Sequence, residues 1–306
     1  MIYEKLHQDI KAIKCSSNID DAIYNHVISQ IDFFEKNKFL SKLISEYKKY
    51  LISIKISAIL KSSSSSFTKS NLQIFTSDKQ LATPNRTSAI IDTAIHLGFL
   101  ISKPSINDRR HNILSATEKF YKIKDEQIDR NKKILNLMFS NIKFDSTTKS
   151  ASISENYLDI YFRTSLLYRP KSALYVFLKR EAGYPILLKI LQATRHCSHH
   201  NKVISLPFSH LSRSFGVSRA HVQKMLQAAD DAKLIRLQTT GGKEIEVLPR
   251  LEKLSKNMII LSLAIIKGAI DQAQTQSLSN DIETETAMMP SLLAVPSSDS
   301  ASIPVR

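Results

Sequence analysis

Leu211–Ile235 reads "LSRSFGVSRAHVQKMLQAADDAKLI", and this stretch decides the fold. Leu211 and Phe215 lie one helical turn apart and mark a short amphipathic helix. Gly216 then breaks it, because glycine alone adopts the left-handed backbone of a tight turn without strain. Val217 packs inward, and Ser218 is a strong residue to cap a following helix. Val222, Leu226 and Ala229 recur at helical spacing and give that second helix a buried face. Arg219, His221, Gln223 and Lys224 are left on the solvent side, near its start.

Two helices joined in this way form a helix-turn-helix layout. Downstream, "IRLQTTGGKEIEV" reads as two strands around Gly241-Gly242, with Arg236 and Lys243 flanking the turn. The hairpin is a basic wing suited to a nucleic-acid backbone or minor groove. In such a motif the start of the second helix enters the major groove. There arginine can read guanine bidentately and glutamine can read adenine. The candidate DNA contacts in this half are therefore Ser218, Arg219, His221, Gln223, Lys224 and Lys243. The segment resembles the winged helix-turn-helix of bacterial regulators of the GntR and Crp kind, over residues 186–250.

The first half carries a second arrangement of the same sort. "PNRTSAIIDTAIHLG" is a helix with Thr83 as its cap, Pro84 in the first position and Gly98 closing it. "FLISKP" is a strand, "SINDRRH" a turn and "NILSA" a returning strand. Ser115–Glu118, "SATE", has the pattern of a capping box and opens a long helix. Over residues 41–140 this half resembles the winged helix of the MarR family. The resemblance implies that Pro84–Leu97 stands in the recognition-helix place. It also implies that Asp108 orients the wing while Arg109 or Arg110 enters a minor groove, where negative potential is enhanced. The glycine usual near the family's wing exit is replaced by Phe120. Asn85, Arg86 and Ser88 join Arg109 and Arg110 as candidate contacts, with Arg86 the only basic residue on that helix face. MarR resemblance further implies a homodimer built from the terminal helices.

The rest of the chain agrees with a partner of negative charge. Among 306 residues, 43 are Lys or Arg and 28 are Asp or Glu, a formal charge of +15. That surplus favours nucleic acid or an anionic surface. Two cysteines, Cys15 and Cys197, give no disulfide framework and suit a reducing cytoplasm, here beside the nucleoid. Cys15 is expected to be buried or half-buried. Six glycines cannot supply a phosphate-binding loop or a dinucleotide fingerprint. No nucleophile elbow appears either, so no enzyme activity, catalytic residue or cofactor is expected. "RHCSHH", Arg195–His200, has no second ligand pair to make a metal site. Met258–Ile270 is the most apolar run, too short for a membrane span, which needs about 20 residues. Nothing in the sequence points to a particular small-molecule effector.

The fold expected is mainly α with short β-wings, as tandem winged helix-turn-helix domains. Residues 1–148 hold the first, 149–270 the second, and 271–306 form a flexible acidic Ser/Thr/Pro tail. A polar linker is expected around 145–152. The function expected is a sequence-specific regulator of transcription that binds double-stranded DNA. A plasmid-type replication initiator with paired winged helices shares the size and charge. So does a winged-helix factor that binds only other proteins.

Overall fold

In the computed structural model, which describes residues 2–60, 67–104, 112–139, 150–164, 172–195, 197 and 202–288, the apolar stripe from Phe33 to Leu51 runs over three helices. After α1 (Ile2–Cys15) come α2 (Ile19–Lys36), α3 (Lys38–Ile44) and α4 (Tyr47–Leu60). Asn37 separates α2 from α3, its side-chain amide donating to the Phe33 carbonyl at 2.9 Å. Ser45 and Glu46 separate α3 from α4, and both are buried. Their polar atoms are occupied: Ser45 Oγ accepts from the Ala182 N–H at 2.8 Å, and Glu46 accepts from Arg86. Polar side chains that find partners can stand in a core, and these mark where the helix turns. Cys15 is exposed, against expectation. It lies out of phase with Leu6, Asp9 and Ile13, which form the buried face of α1.

Next follow α5 (Lys69–Asp78), α6 (Pro84–His96), β1 (Leu100–Pro104), β2 (Asn112–Ala116) and α7 (Glu118–Met138). The later part holds α8 (Ser150–Thr164), α9 (Tyr175–Leu178), α10 (Gly183–Thr194), β3 (Val203–Ile204) and α11 (Phe208–Phe215). It ends with α12 (Arg219–Asp231), β4 (Ile235–Leu237), β5 (Ile245–Val247) and α13 (Pro249–Met288). The chain is thus mainly helical, with two small antiparallel sheets among the described residues. None of these helices is long and apolar enough to cross a membrane.

The two sheets have matching surroundings. β3 pairs with β5, and β5 with β4, all antiparallel. In the first half β1 pairs with β2, and Thr68 bridges to Ile113 on the far side of β2. The order in each is therefore entering segment, returning strand, first strand. Both sheets enclose two helices and lead into a long one.

The second helix of each pair also ends alike. Gly98 (φ +73°) donates to the Ile95 carbonyl and Phe99 to that of Ala94, at 2.9 and 2.8 Å. Lys233 (φ +55°) donates to the Asp230 carbonyl and Leu234 to that of Ala229, at 2.8 and 3.0 Å. These are the paired bonds of a left-handed helix stop, with the next apolar residue buried beneath.

Several expectations shift. Ser115 does not cap α7; it lies in β2 opposite Ile101. Thr117 is the cap, accepting from the Phe120 N–H at 3.3 Å and donating to the Gly98 carbonyl at 2.8 Å. The sheet takes Ser115 because Leu114 beside it is a core residue that must face inward. Residues 150–152, placed in the linker, begin α8, which packs between α4 and α13. Between Ser172 and Ala182 the helix is confined to the single turn of α9. The apolar helix at 258–270 extends in α13 past residue 271, where the tail was expected to begin. Ala273 is buried, and the Asn156 amide of α8 donates to the Ala269 carbonyl at 3.5 Å and to Gln276 Oε1 at 3.3 Å, so packing carries the helix onward. Lys267, which interrupts the apolar run, is paired with Asp9 at 3.0 Å and Asp271 at 2.7 Å.

α2 packs on α7 and α10, α8 on α4 and α13, and α1 on α13, so helices from both halves share one buried cluster. At the α2–α10 contact, His26 Nε2 lies 3.1 Å from the Tyr184 hydroxyl, while His26 Nδ1 has no partner among the described residues. Burial lowers the His26 pKa from 6.5 to about 4. Among the described residues, Tyr184, Tyr47 and Tyr50 are the titratable groups around it, and no carboxylate lines the space. Above pH 6.5 the ring is neutral folded or unfolded; as pH falls towards 4 only the unfolded chain takes the proton. Stability is therefore lost through that window, by on the order of 3 kcal/mol from this residue. Denaturant titrations at pH 7 and 4 should show that excess loss in the unaltered chain and not in His26→Leu. Equal losses in both would refute it.

Candidate nucleic-acid interface

The second helix pair presents its outer face cleanly. Gly216 (φ +70°) turns the chain, and the Val217 N–H donates to the Ser212 carbonyl at 3.2 Å. Ser218 caps α12 as expected, its Oγ accepting from the His221 N–H at 3.1 Å. Val222, Met225, Leu226 and Ala229 are fully buried beneath α12. Arg219, Gln223 and Lys224 are exposed on top. Burying one stripe of a helix leaves the opposite stripe to solvent, so the core itself aims these side chains outward.

His221 departs from expectation. It is half-buried, and its Nε2 lies 2.9 Å from the Glu181 carbonyl in the α9–α10 connection. It ties α12 to the layer below instead of facing outward. The residues that replace it on the face are Ala220 and Gln227, which with Gln223 and Lys224 follow the i, i+3, i+4, i+7 spacing of one helix side. Counting that spacing from Ala220 finds Gln227 in the sequence. Its amide donates to Asp231 at 3.3 Å.

The hairpin beside α12 is held close. The backbone at Thr240–Gly242 is a short 3₁₀ turn. The Leu206 N–H donates to the Gly242 carbonyl at 2.9 Å, fixing the turn to the segment before α11. A Cβ on Gly241 would stand 3.6 Å from the Arg219 guanidinium, so that side chain lies against the turn. Exposed Lys243 follows directly. Helix start and hairpin thus present Ser218, Arg219 and Lys243 at one end of the unit. Arg236, across the strand from Glu246, is ion-paired with it at 2.7 Å.

The first unit has the same parts with a different charge pattern. Thr83 caps α6, accepting from the Arg86 N–H at 3.3 Å, and Asn85 is exposed. The Arg86 guanidinium donates to both Glu46 oxygens at 2.7 and 2.8 Å. Ser88 accepts from the Gln73 amide at 2.9 Å and donates to the Pro84 carbonyl at 3.1 Å. Asp92 lies 3.5 Å from Lys69. Internal partners therefore hold the charged groups of α6. The register pairs Pro104 with Asn112, and the candidate contacts Arg109 and Arg110, with Asp108, fall between them, outside the described residues.

His196, His199 and His200 also lie outside the described residues. Among the described residues no group of three or more His, Cys, Asp or Glu could hold a metal ion. The Cys197 thiol donates to the carbonyls of Ala193 and Val203 at 3.6 and 3.7 Å.

The chain matches no family model, no curated protein and no solved structure. The functional reading rests on these residues and their arrangement.

Proposed function

We propose that the chain is a sequence-specific double-stranded-DNA-binding protein of two winged helix-turn-helix units, acting as a transcription regulator. The observation that carries this reading is the repeat. An entering segment, two helices, two antiparallel strands and a long helix occur in the same order and pairing twice. In the second unit the outward face of α12 carries Arg219, Gln223 and Lys224, with Lys243 on the adjoining hairpin. These are the donors and acceptors that reach base edges and phosphates when a helix enters a major groove. The formal charge of +15 supplies long-range attraction to the polyanion.

The second unit reads bases and the first contributes backbone contacts, because Arg86 of α6 is already engaged with Glu46. One further reading draws on the buried cluster that both halves share. Two units joined that way suit one chain on each asymmetric repeat of a repeated array, as in a replication initiator of plasmid type.

Selection from a random pool of duplex DNA tests both. The regulator reading expects one enriched operator. The initiator reading expects repeated sites with melting of adjacent duplex. Affinity should fall on the order of 1,000-fold between 50 and 200 mM salt if several phosphates are neutralised. Purified protein that binds no duplex at low salt would remove both readings.

A further inference from the structure

Lys124 of α7 is buried within the core, and among the described residues no carboxylate pairs with it. Its amine donates to Ser53 Oγ at 2.9 Å and to Gln127 Oε1 at 3.4 Å. The rings of Tyr50 and Phe120 stand 5.5 and 5.8 Å away. Neutral oxygens and ring faces are partial compensation for an ammonium taken out of water; a full counter-charge is missing. Burial alone pushes the amine down to about 7.

Two cavities meet at this residue. One, of about 40 Å³, lies between α4, α7, α8 and α13, and Tyr50, Asn131 and Tyr157 line it. The other, of about 30 Å³, lies beneath α6, lined by Ile90, Ala94, Phe99 and Phe120. Lys124 and Gln127 line both. Among the described residues the only other charged side chain lining them is Lys49, 3.8 Å from Glu46, and no carboxylate lines either space. The first cavity also holds a second unmet group. Asn131 is 7% exposed; its amide donates to the Gln127 carbonyl at 2.9 Å, and its Oδ1 has no partner among the described residues. One water needs roughly 10–15 Å³ of such space, so the two cavities together have room for a few non-hydrogen atoms.

We propose that these cavities bind a short-chain hydroxycarboxylate, its carboxylate paired with Lys124 and its hydroxyl donating to Asn131 Oδ1. The groups present define this chemistry: a buried amine that a carboxylate would hold in its charged form, an acceptor without a donor among the described residues, and apolar walls between and beyond. Water could meet Asn131 but would bring no charge to Lys124. The second cavity backs onto the inner face of α6, so a ligand there bears on the first helix pair. That link to DNA rests on the function proposed above, whereas binding itself does not.

The test uses the full chain with 3-hydroxypropionate and propionate, against sodium chloride at matched ionic strength. Calorimetric melting should show a saturable upward shift with 3-hydroxypropionate, and none in Lys124→Met. Propionate, lacking the hydroxyl, should need about ten times the concentration, the worth of roughly one hydrogen bond to a buried acceptor. With ¹³C-labelled 3-hydroxypropionate on the unaltered chain, nuclear Overhauser contacts to the Tyr50 or Phe120 ring should appear, a readout independent of how the variant folds. The same melting shift in Lys124→Met, propionate equal to 3-hydroxypropionate, or no ring contacts would each overturn the proposal. A duplex-binding assay run in parallel separates the two ideas. Ligand binding without any DNA binding would leave the site standing and remove the function.

Discussion

Gly183→Ala is expected to destabilise the protein by about 3 kcal/mol or more, because overpacking against rigid backbone has no cheap relaxation. Gly183 begins α10, and a Cβ there would run into the Phe177 carbonyl group. Phe177 is fully buried, so its backbone cannot retreat without opening the core. The turn is fixed from other sides too. Ala182 adopts φ +55°, its N–H donates to Ser45 Oγ at 2.8 Å, and the Gly183 N–H donates to the Arg180 carbonyl at 3.0 Å. Thermal melting should fall on the order of 10 °C, at 2–4 °C per kcal/mol for a chain of this class. The same turn carries the Glu181 carbonyl that holds His221, so duplex binding should weaken as well. A variant melting within about 2 °C of the unaltered chain would show that the turn yields, contrary to the packing argument.

The joint variant Arg219→Ala, Gln223→Ala is expected to lose roughly 100-fold or more in affinity for the selected site, since each bidentate base contact is worth about 1–3 kcal/mol. Sequence preference should relax at the bases those residues meet. Lys224→Ala should weaken all sequences evenly and lower the salt slope by about one, as expected for a phosphate contact. Arg109→Ala with Arg110→Ala should weaken binding evenly too. His221→Ala forms the contrast: its ring is bonded to the Glu181 carbonyl, so it should lower stability while leaving base preference intact. Quantitative footprinting against the selected site and a scrambled duplex distinguishes these outcomes. Unchanged affinities in the Arg219/Gln223 variant would remove α12 from the base-reading role.

Much of the local structure is legible in the residues. Thr83, Pro84 and Gly98 delimit α6, and Gly216 and Ser218 delimit the turn into α12, because caps and left-handed stops depend on residues a few positions away. Leu211, Phe215, Val222, Leu226 and Ala229 are buried at the spacing that announces them. The hairpins follow from the same local chemistry. β3 is the strand the sequence hides: two residues carry no period, and only pairing with β5 makes them a strand. The stop of α12 is also concealed, since Lys233 takes the left-handed position that glycine fills after α6. Buried Leu234 on its far side holds it there.

The candidate site divides in the same way. Exposure of Arg219, Gln223 and Lys224 is written in the helical period around them. The engagement of Arg86 by Glu46 and of His221 by the Glu181 carbonyl joins residues distant in sequence, and no local pattern announces it.

The sequence by itself determined the mainly helical character, the caps of α6 and α12, the two hairpins and the exposure of Arg219, Gln223 and Lys224, because propensity, capping and periodicity act between near neighbours. Only the tertiary structure decided that α8 and α13 pack together within a buried cluster shared by both halves, that α6 spends its arginine internally, and that Lys124 and Asn131 face cavities with unmet charge and hydrogen-bonding capacity. Those outcomes depend on which distant side chains exclude water from one another, and burial of that kind exists only once the chain has folded.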